Sequence, residues 1–115
     1  MRIIGVNFPG GKRVDAQFSG FTVNTDQRRA HGGEQTAPNP FDLFFVSLAT
    51  CAGISALDYC HEHKLPTDGL AVSMEAHRHP TEKRYNRVVI AVTPPVGLSP
   101  DHVKGLLAET EDCHD

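Results

Sequence analysis

Three cysteines, Cys51, Cys60 and Cys113, are the strongest nucleophiles in this chain of 115 residues. A thiolate attacks peroxides and disulfides and binds soft metals, whereas the protonated thiol does little of either. The number is odd, and the start Met1-Arg2-Ile3-Ile4-Gly5-Val6 reaches Pro9-Gly10-Gly11 without the apolar core of a secretory signal. A cytoplasmic protein is expected, in which any cysteine pairing is chemistry rather than scaffolding. Cys51 stands in the middle of an apolar segment, and at helical spacing Ser47, Ser55, Phe44 and Asp58 share its face. A free cysteine so placed most often serves as a small hydrophobe, so position alone does not make it catalytic. Cys60 follows nine residues later, about 900° around a helical wheel, so the two face opposite sides and cannot bond within one straight helix.

Histidines offer a second chemistry. His61 and His63 flank Glu62, and His77 and His79 flank Arg78. Zinc favours cysteine and histidine together, but residues two apart on a helix point about 200° from one another, and two histidines on one strand face are equally well exposed polar positions. The spacing matches no standard zinc pattern, so a zinc-binding protein is the weakest alternative and no metal site is expected.

The elements that must position these groups read from pattern. Val14–Phe18 and Phe21–Asn24 alternate apolar and polar around Ser19-Gly20, a hairpin. Residues 25–39 are polar and Gly-rich, long for a loop in a compact domain, and such loops are often functional. Asn39-Pro40-Phe41-Asp42 supplies an N-cap, a proline at the first helical position and an acid near the positive end of the dipole. A helix from about Pro40 to Lys64 follows, stopped by Leu65-Pro66. Leu70–Ala76 and Arg87–Val92 read as a second hairpin joined across residues 79–83, and Ser99-Pro100-Asp101 starts a last helix over about 100–112.

The central helix carries apolar residues around most of its circumference, where a surface helix shows one stripe. So short a chain has few elements with which to sheath it, and a two-fold homodimer with this helix at the interface is expected. Length admits one domain over 1–115. The formal charge of −3 provides no basic field for a phosphate backbone, so no nucleic acid partner is expected. The uncharged apolar run Leu43–Leu57, fenced by Asp42 and Asp58, falls short of the roughly 20 residues of a bilayer span, so no membrane partner is expected either.

The run Pro38-Asn39-Pro40-Phe41-Asp42-Leu43-Phe44-Phe45-Val46-Ser47-Leu48-Ala49-Thr50-Cys51-Ala52-Gly53 resembles the helix signature of the OsmC/Ohr family of thiol peroxidases. The early strands, the Gly32-Gly33 loop, Pro66-Thr67-Asp68-Gly69-Leu70 and the late Cys113 match in the same order. The resemblance implies an α+β fold, an intertwined homodimer with antiparallel sheets packed around long central helices. It implies reduction of organic hydroperoxides without metal or organic cofactor, with Cys51 as the reactive thiolate, Cys113 as the resolving cysteine and an external dithiol as reductant. A buried thiol needs a permanent positive charge to stay ionised, and Arg13, after Gly10-Gly11-Lys12, is the nearest match to the family arginine, with Arg28 and Arg29 as competitors.

The chain departs from the family in two places. Phe41 stands where the family has its catalytic glutamate, with Asp42 beside it and Glu34 upstream, so no carboxylate is assigned. The sequence ends at Asp115, soon after Cys113, where the family continues, which implies a shortened carboxyl end. The missing glutamate supports the alternative of an OsmC-like protein without peroxidase activity that binds a small hydrophobic or thiol ligand, with Phe41, Phe44 and Phe45 lining its pocket.

Overall fold

The computed structural model describes residues 2–111, so Cys113 lies outside the described residues. The fold is α+β, in the order β1 (Gly5–Gly10), β2 (Arg13–Phe18), β3 (Phe21–Thr25), α1 (Pro40–Glu62), β4 (Ala71–Arg78), β5 (Tyr85–Thr93) and α2 (Pro100–Glu111), with a 3-10 turn at Arg29–His31. The chain divides into two compact units, residues 1–44 and 45–115.

In the first unit β1, β2 and β3 form an antiparallel meander in that order. Its second hairpin is the one read from sequence. Phe18 pairs with Phe21, and Ser19 (φ 49°) and Gly20 (φ 81°) make the two left-handed steps of a type I′ turn, whose twist suits the flanking strands. β1 was not foreseen. Its sequence, Gly-Val-Asn-Phe-Pro-Gly, shows no strand alternation, yet Gly5–Asn7 pairs with Asp15–Gln17 before an irregularity breaks the register. A proline is tolerated there because β1 is an edge strand, with no further partner to receive its missing N–H.

In the second unit β4 and β5 pair antiparallel from Ala71↔Thr93 to Arg78↔Tyr85. The connecting turn is held by His79, whose Nδ1 accepts the backbone N–H groups of Thr81 (3.2 Å) and Glu82 (3.0 Å). The core of this unit gathers Ala56, Tyr59 and Cys60 of α1 with Leu106 of α2, flanked by Leu65, Leu70, Val72, Val92 and Leu98.

Both helices begin as the caps predict. Asn39 Oδ1 accepts the Asp42 N–H at 2.8 Å, and Ser99 Oγ accepts the His102 N–H at 3.3 Å. α1 stops with the Leu65 N–H on the Cys60 carbonyl (2.8 Å) and the Lys64 N–H on the His61 carbonyl (3.2 Å), Lys64 taking the left-handed conformation (φ 54°). This is a Schellman ending made without glycine.

The length of α1 corrects one sequence argument. The fifteen-residue count between Asp42 and Asp58 understated it, for the 23-residue helix passes the length and composition test for a bilayer span. Core helices pass the same test, and α1 buries Ala52, Ser55, Ala56, Tyr59 and Cys60 within its own chain. Other apolar positions of the helix are partly buried, such as Leu43, Leu48 and Leu57, while Phe41, Phe44, Val46 and Ile54 are about half exposed.

Candidate functional site

Cys51 lies midway along α1 and is partly buried, one turn from the buried Ser55. The structure holds it in disulfide-bonded, oxidised form, so the nucleophilic thiolate is the species that reduction releases. Elsewhere on α1 an apolar groove of about 520 Å³ is lined by Ala49, Thr50, Gly53, Ile54 and Leu57 together with Leu70, Ala71 and Val72; Cys51 is not among its lining residues. Thr50 turns its hydroxyl back onto the helix, donating to the Val46 carbonyl at 2.8 Å, and so presents its methyl group instead.

Cys60 contrasts with Cys51 at every point. It is fully buried in the core, is a free thiol, and burial pushes its pKa above the ordinary thiol value of 9.0. Desolvation disfavours the anion, so Cys60 stays protonated and inert at neutral pH. The opposite facing read from the helical wheel holds, and the buried side belongs to Cys60.

The candidate cations and carboxylates sit in the first unit. Arg13, the first residue of β2, is exposed. Arg28 brings its Nη2 within 3.8 Å of Asp42 Oδ1, so of the three arginines weighed it is the one the structure sets beside a carboxylate. Phe41, at the glutamate position, is 55% exposed.

A residue that sequence reasoning passed over organises this region. Asp26 is buried and closes the 27–36 loop: Oδ1 accepts the Gln27 N–H (2.7 Å), and Oδ2 accepts both the Thr36 hydroxyl (2.7 Å) and the Thr36 N–H (3.1 Å). These bonds, the Thr36 hydroxyl foremost, hold its carboxyl below the usual value of 3.8. The loop then doubles back so tightly that a Cβ on Gly33 would stand 2.8 Å from Gln27 Cα, which is why the second residue of Gly32-Gly33 has no side chain. The Arg28 carbonyl accepts the His31 and Gly33 N–H groups within this loop, while its exposed side chain lies 3.8 Å from Asp42. No local pattern links Asp26 to Thr36 ten residues on, so the sequence carried no signal for it.

The OsmC-like protein family profile matches residues 32–113, more than half of the chain, with Cys51 and the whole of α1 inside the match. The chain belongs to the OsmC-like family. Solved structures agree on the fold. A protein described as osmotic stress induced, with a detoxification response, from Psychrobacter arcticus 273-4 superposes with a TM-score of 0.82 at 23% identity, over 98% of this chain and 84% of that one. The organic hydroperoxide resistance protein OsmC of Legionella pneumophila gives 0.65 at 21%, over 98% and 84%. OhrB, the organic hydroperoxide resistance protein of Bacillus subtilis, gives 0.58 at 18%, over 98% and 85%. A comparison with the curated proteins finds no match.

Proposed function

We propose that this OsmC-like protein is a thiol-dependent peroxidase for organic hydroperoxides. The observation that carries the reading is Cys51 at the centre of α1, within the family match. In the first step the Cys51 thiolate attacks the terminal peroxide oxygen. An S–O bond forms, the O–O bond breaks, and the departing alkoxide takes a proton to leave as an alcohol. Cys113 then attacks the sulfenic sulfur, expelling water and forming a disulfide, and an external dithiol reopens that bond by exchange. One hydroperoxide and one dithiol thus give one alcohol, one water and one oxidised dithiol. Arg13 is the proposed cation that keeps the thiolate ionised, with Arg28 and Arg29 as competitors.

The apolar side chains of α1 around Cys51, Leu48 and Ile54 among them, support a preference for alkyl hydroperoxides. Transfer of each buried methylene from water favours binding by about 0.8 kcal/mol, a gain hydrogen peroxide lacks. The partner proposed is a second copy of the chain, in a cytoplasmic homodimer. The half-exposed Val46 and Ile54 on the long helix, and the two-stranded β4–β5 sheet with Val88, Val89 and Ile90 partly exposed, are surfaces a second chain would cover. Dithiol-dependent turnover of cumene hydroperoxide against hydrogen peroxide tests the assignment. Faster turnover of the organic substrate is expected, and absence of turnover with either refutes it.

Phe41 at the glutamate position favours a second reading, a member of the family that binds a small hydrophobic or thiol ligand without turning over peroxide. Stoichiometric oxidation without dithiol-supported cycling would be its signature.

A further inference from the structure

Histidines two residues apart cannot share an ion by helical spacing, but the structure sets one of them beside a histidine of the other helix. His63, one residue past α1, and His102, in the first turn of α2, have ring centres 5.5 Å apart with planes inclined by 63°. Tyr59, one turn before His63, stacks on it with ring centres 4.2 Å apart and brings its hydroxyl to 3.4 Å from His102 Nδ1. Tyr59 is buried, His102 is partly buried, and His63 is exposed to solvent.

We propose that His63 and His102 bind one divalent transition-metal ion of the zinc, nickel and copper class. An ion about 2.0–2.1 Å from one nitrogen of each ring, with the ring centre about 1.1 Å further on, separates the two centres by about 5.1–5.5 Å at tetrahedral to trigonal angles. The observed separation falls at the upper end of that range. Tyr59 supplies the support such a ligand needs: His102 donating Nδ1–H to the Tyr59 oxygen leaves the Nε2 lone pair for the ion, the arrangement by which histidine ligands are fixed in tautomer and orientation. Gly105 makes room for Tyr59, since a Cβ there would stand 2.8 Å from Tyr59 Cζ.

Among the described residues no group of three or more histidine, cysteine, aspartate or glutamate side chains is arranged to hold an ion, so the protein provides two ligands and water completes the shell. Imidazole suits zinc, copper and nickel, whereas calcium and magnesium demand oxygen and are not expected to bind. Glu62 and Asp101, each one residue from a ligand, and the net charge of −3 favour a cation here. The bound ion ties the end of α1 to the start of α2, and binding to the folded state alone raises stability by mass action. Nothing in this site depends on Cys51.

The test is calorimetric titration of the full chain, free of any histidine tag, with nickel chloride, beside NMR of the imidazole signals. One ion per chain is expected, with the His63 and His102 signals broadened first by the paramagnetic ion. His63→Gln and His102→Gln should each weaken binding at least tenfold, Tyr59→Phe about tenfold or more through the lost tautomer support, and His61→Gln not at all. Melting temperature should rise with nickel in the wild type and show no nickel-dependent rise in His63→Gln, each compared with its own metal-free melt. Undiminished binding in either histidine variant, broadening of His77 and His79 before this pair, or no saturable binding would overturn the proposal.

Discussion

Tyr59 and Gly105 pack so closely between α1 and α2 that no side chain fits at position 105: an added Cβ would lie 2.8 Å from Tyr59 Cζ and 3.1 Å from Cε2. Glycine within a helix ordinarily costs about 1 kcal/mol relative to alanine, so α2 forgoes that stability for the contact. Gly105→Ala should therefore lower stability despite its better propensity, by up to about 2 kcal/mol net, because forcing a rigid buried ring aside costs about 1–3 kcal/mol against the propensity gain of about 1 kcal/mol. Urea unfolding measures it. A variant as stable as the wild type would show that the ring yields freely.

Asp26 gives the loop before α1 an acid-sensitive clasp. Its carboxyl is held below 3.8, so the folded state favours the ionised form. The stabilisation is full above the unfolded value and is lost as pH falls through the lowered folded one. Amide exchange at Gln27 and Thr36 should stay slow, relative to the intrinsic rate, at neutral and mildly acidic pH and accelerate below about pH 3.8. Asp26→Asn should show the faster exchange at every pH. Equal protection in the variant would mean that the backbone holds the loop without the carboxylate.

The two described cysteines should separate cleanly. In the reduced protein at pH 8, iodoacetamide should label Cys51 and spare Cys60, whose buried thiol is pushed up and stays protonated. Cys51→Ser should abolish peroxide consumption, while Cys60→Ala should keep most of it and lose about 1 kcal/mol of stability for the small cavity. A dead Cys60→Ala of normal stability would reverse the assignment.

How much of this was legible in the sequence follows range of interaction. The caps at Asn39 and Ser99, the stop at Leu65-Pro66 and the Ser19-Gly20 turn are set by neighbours within a few residues, and each stands where the pattern put it. The edge strand β1 escaped because its pairing partner, not its own composition, makes it a strand. Asp26 with Thr36, and His63 with His102, escaped for the same reason: the chain brings together groups whose spacing carries no period. Cys51 drew notice through the motif around it rather than through its own position. The opposite faces of Cys51 and Cys60 followed from helical geometry alone, and the burial of Cys60 agrees with them.

Cys113, proposed as the resolving thiol, is tested by its loss. Cys113→Ser should allow one turnover, stop at a sulfenic acid on Cys51 and, under prolonged peroxide, pass to the sulfinic acid, while steady-state cycling with dithiol falls. Mass spectrometry of the intact protein follows each added oxygen. Unchanged cycling in the variant would remove Cys113 from the mechanism.

The central claim is that Cys51 is the peroxide-reducing thiol, and the most direct measurement is mass mapping of the fully reduced protein after one equivalent of cumene hydroperoxide, digested without reductant. The account predicts one cumyl alcohol released per Cys51 oxidised, with Cys51 recovered in a disulfide with Cys113 and Cys60 still a thiol. An intact Cys51 thiol beside consumed peroxide would contradict it.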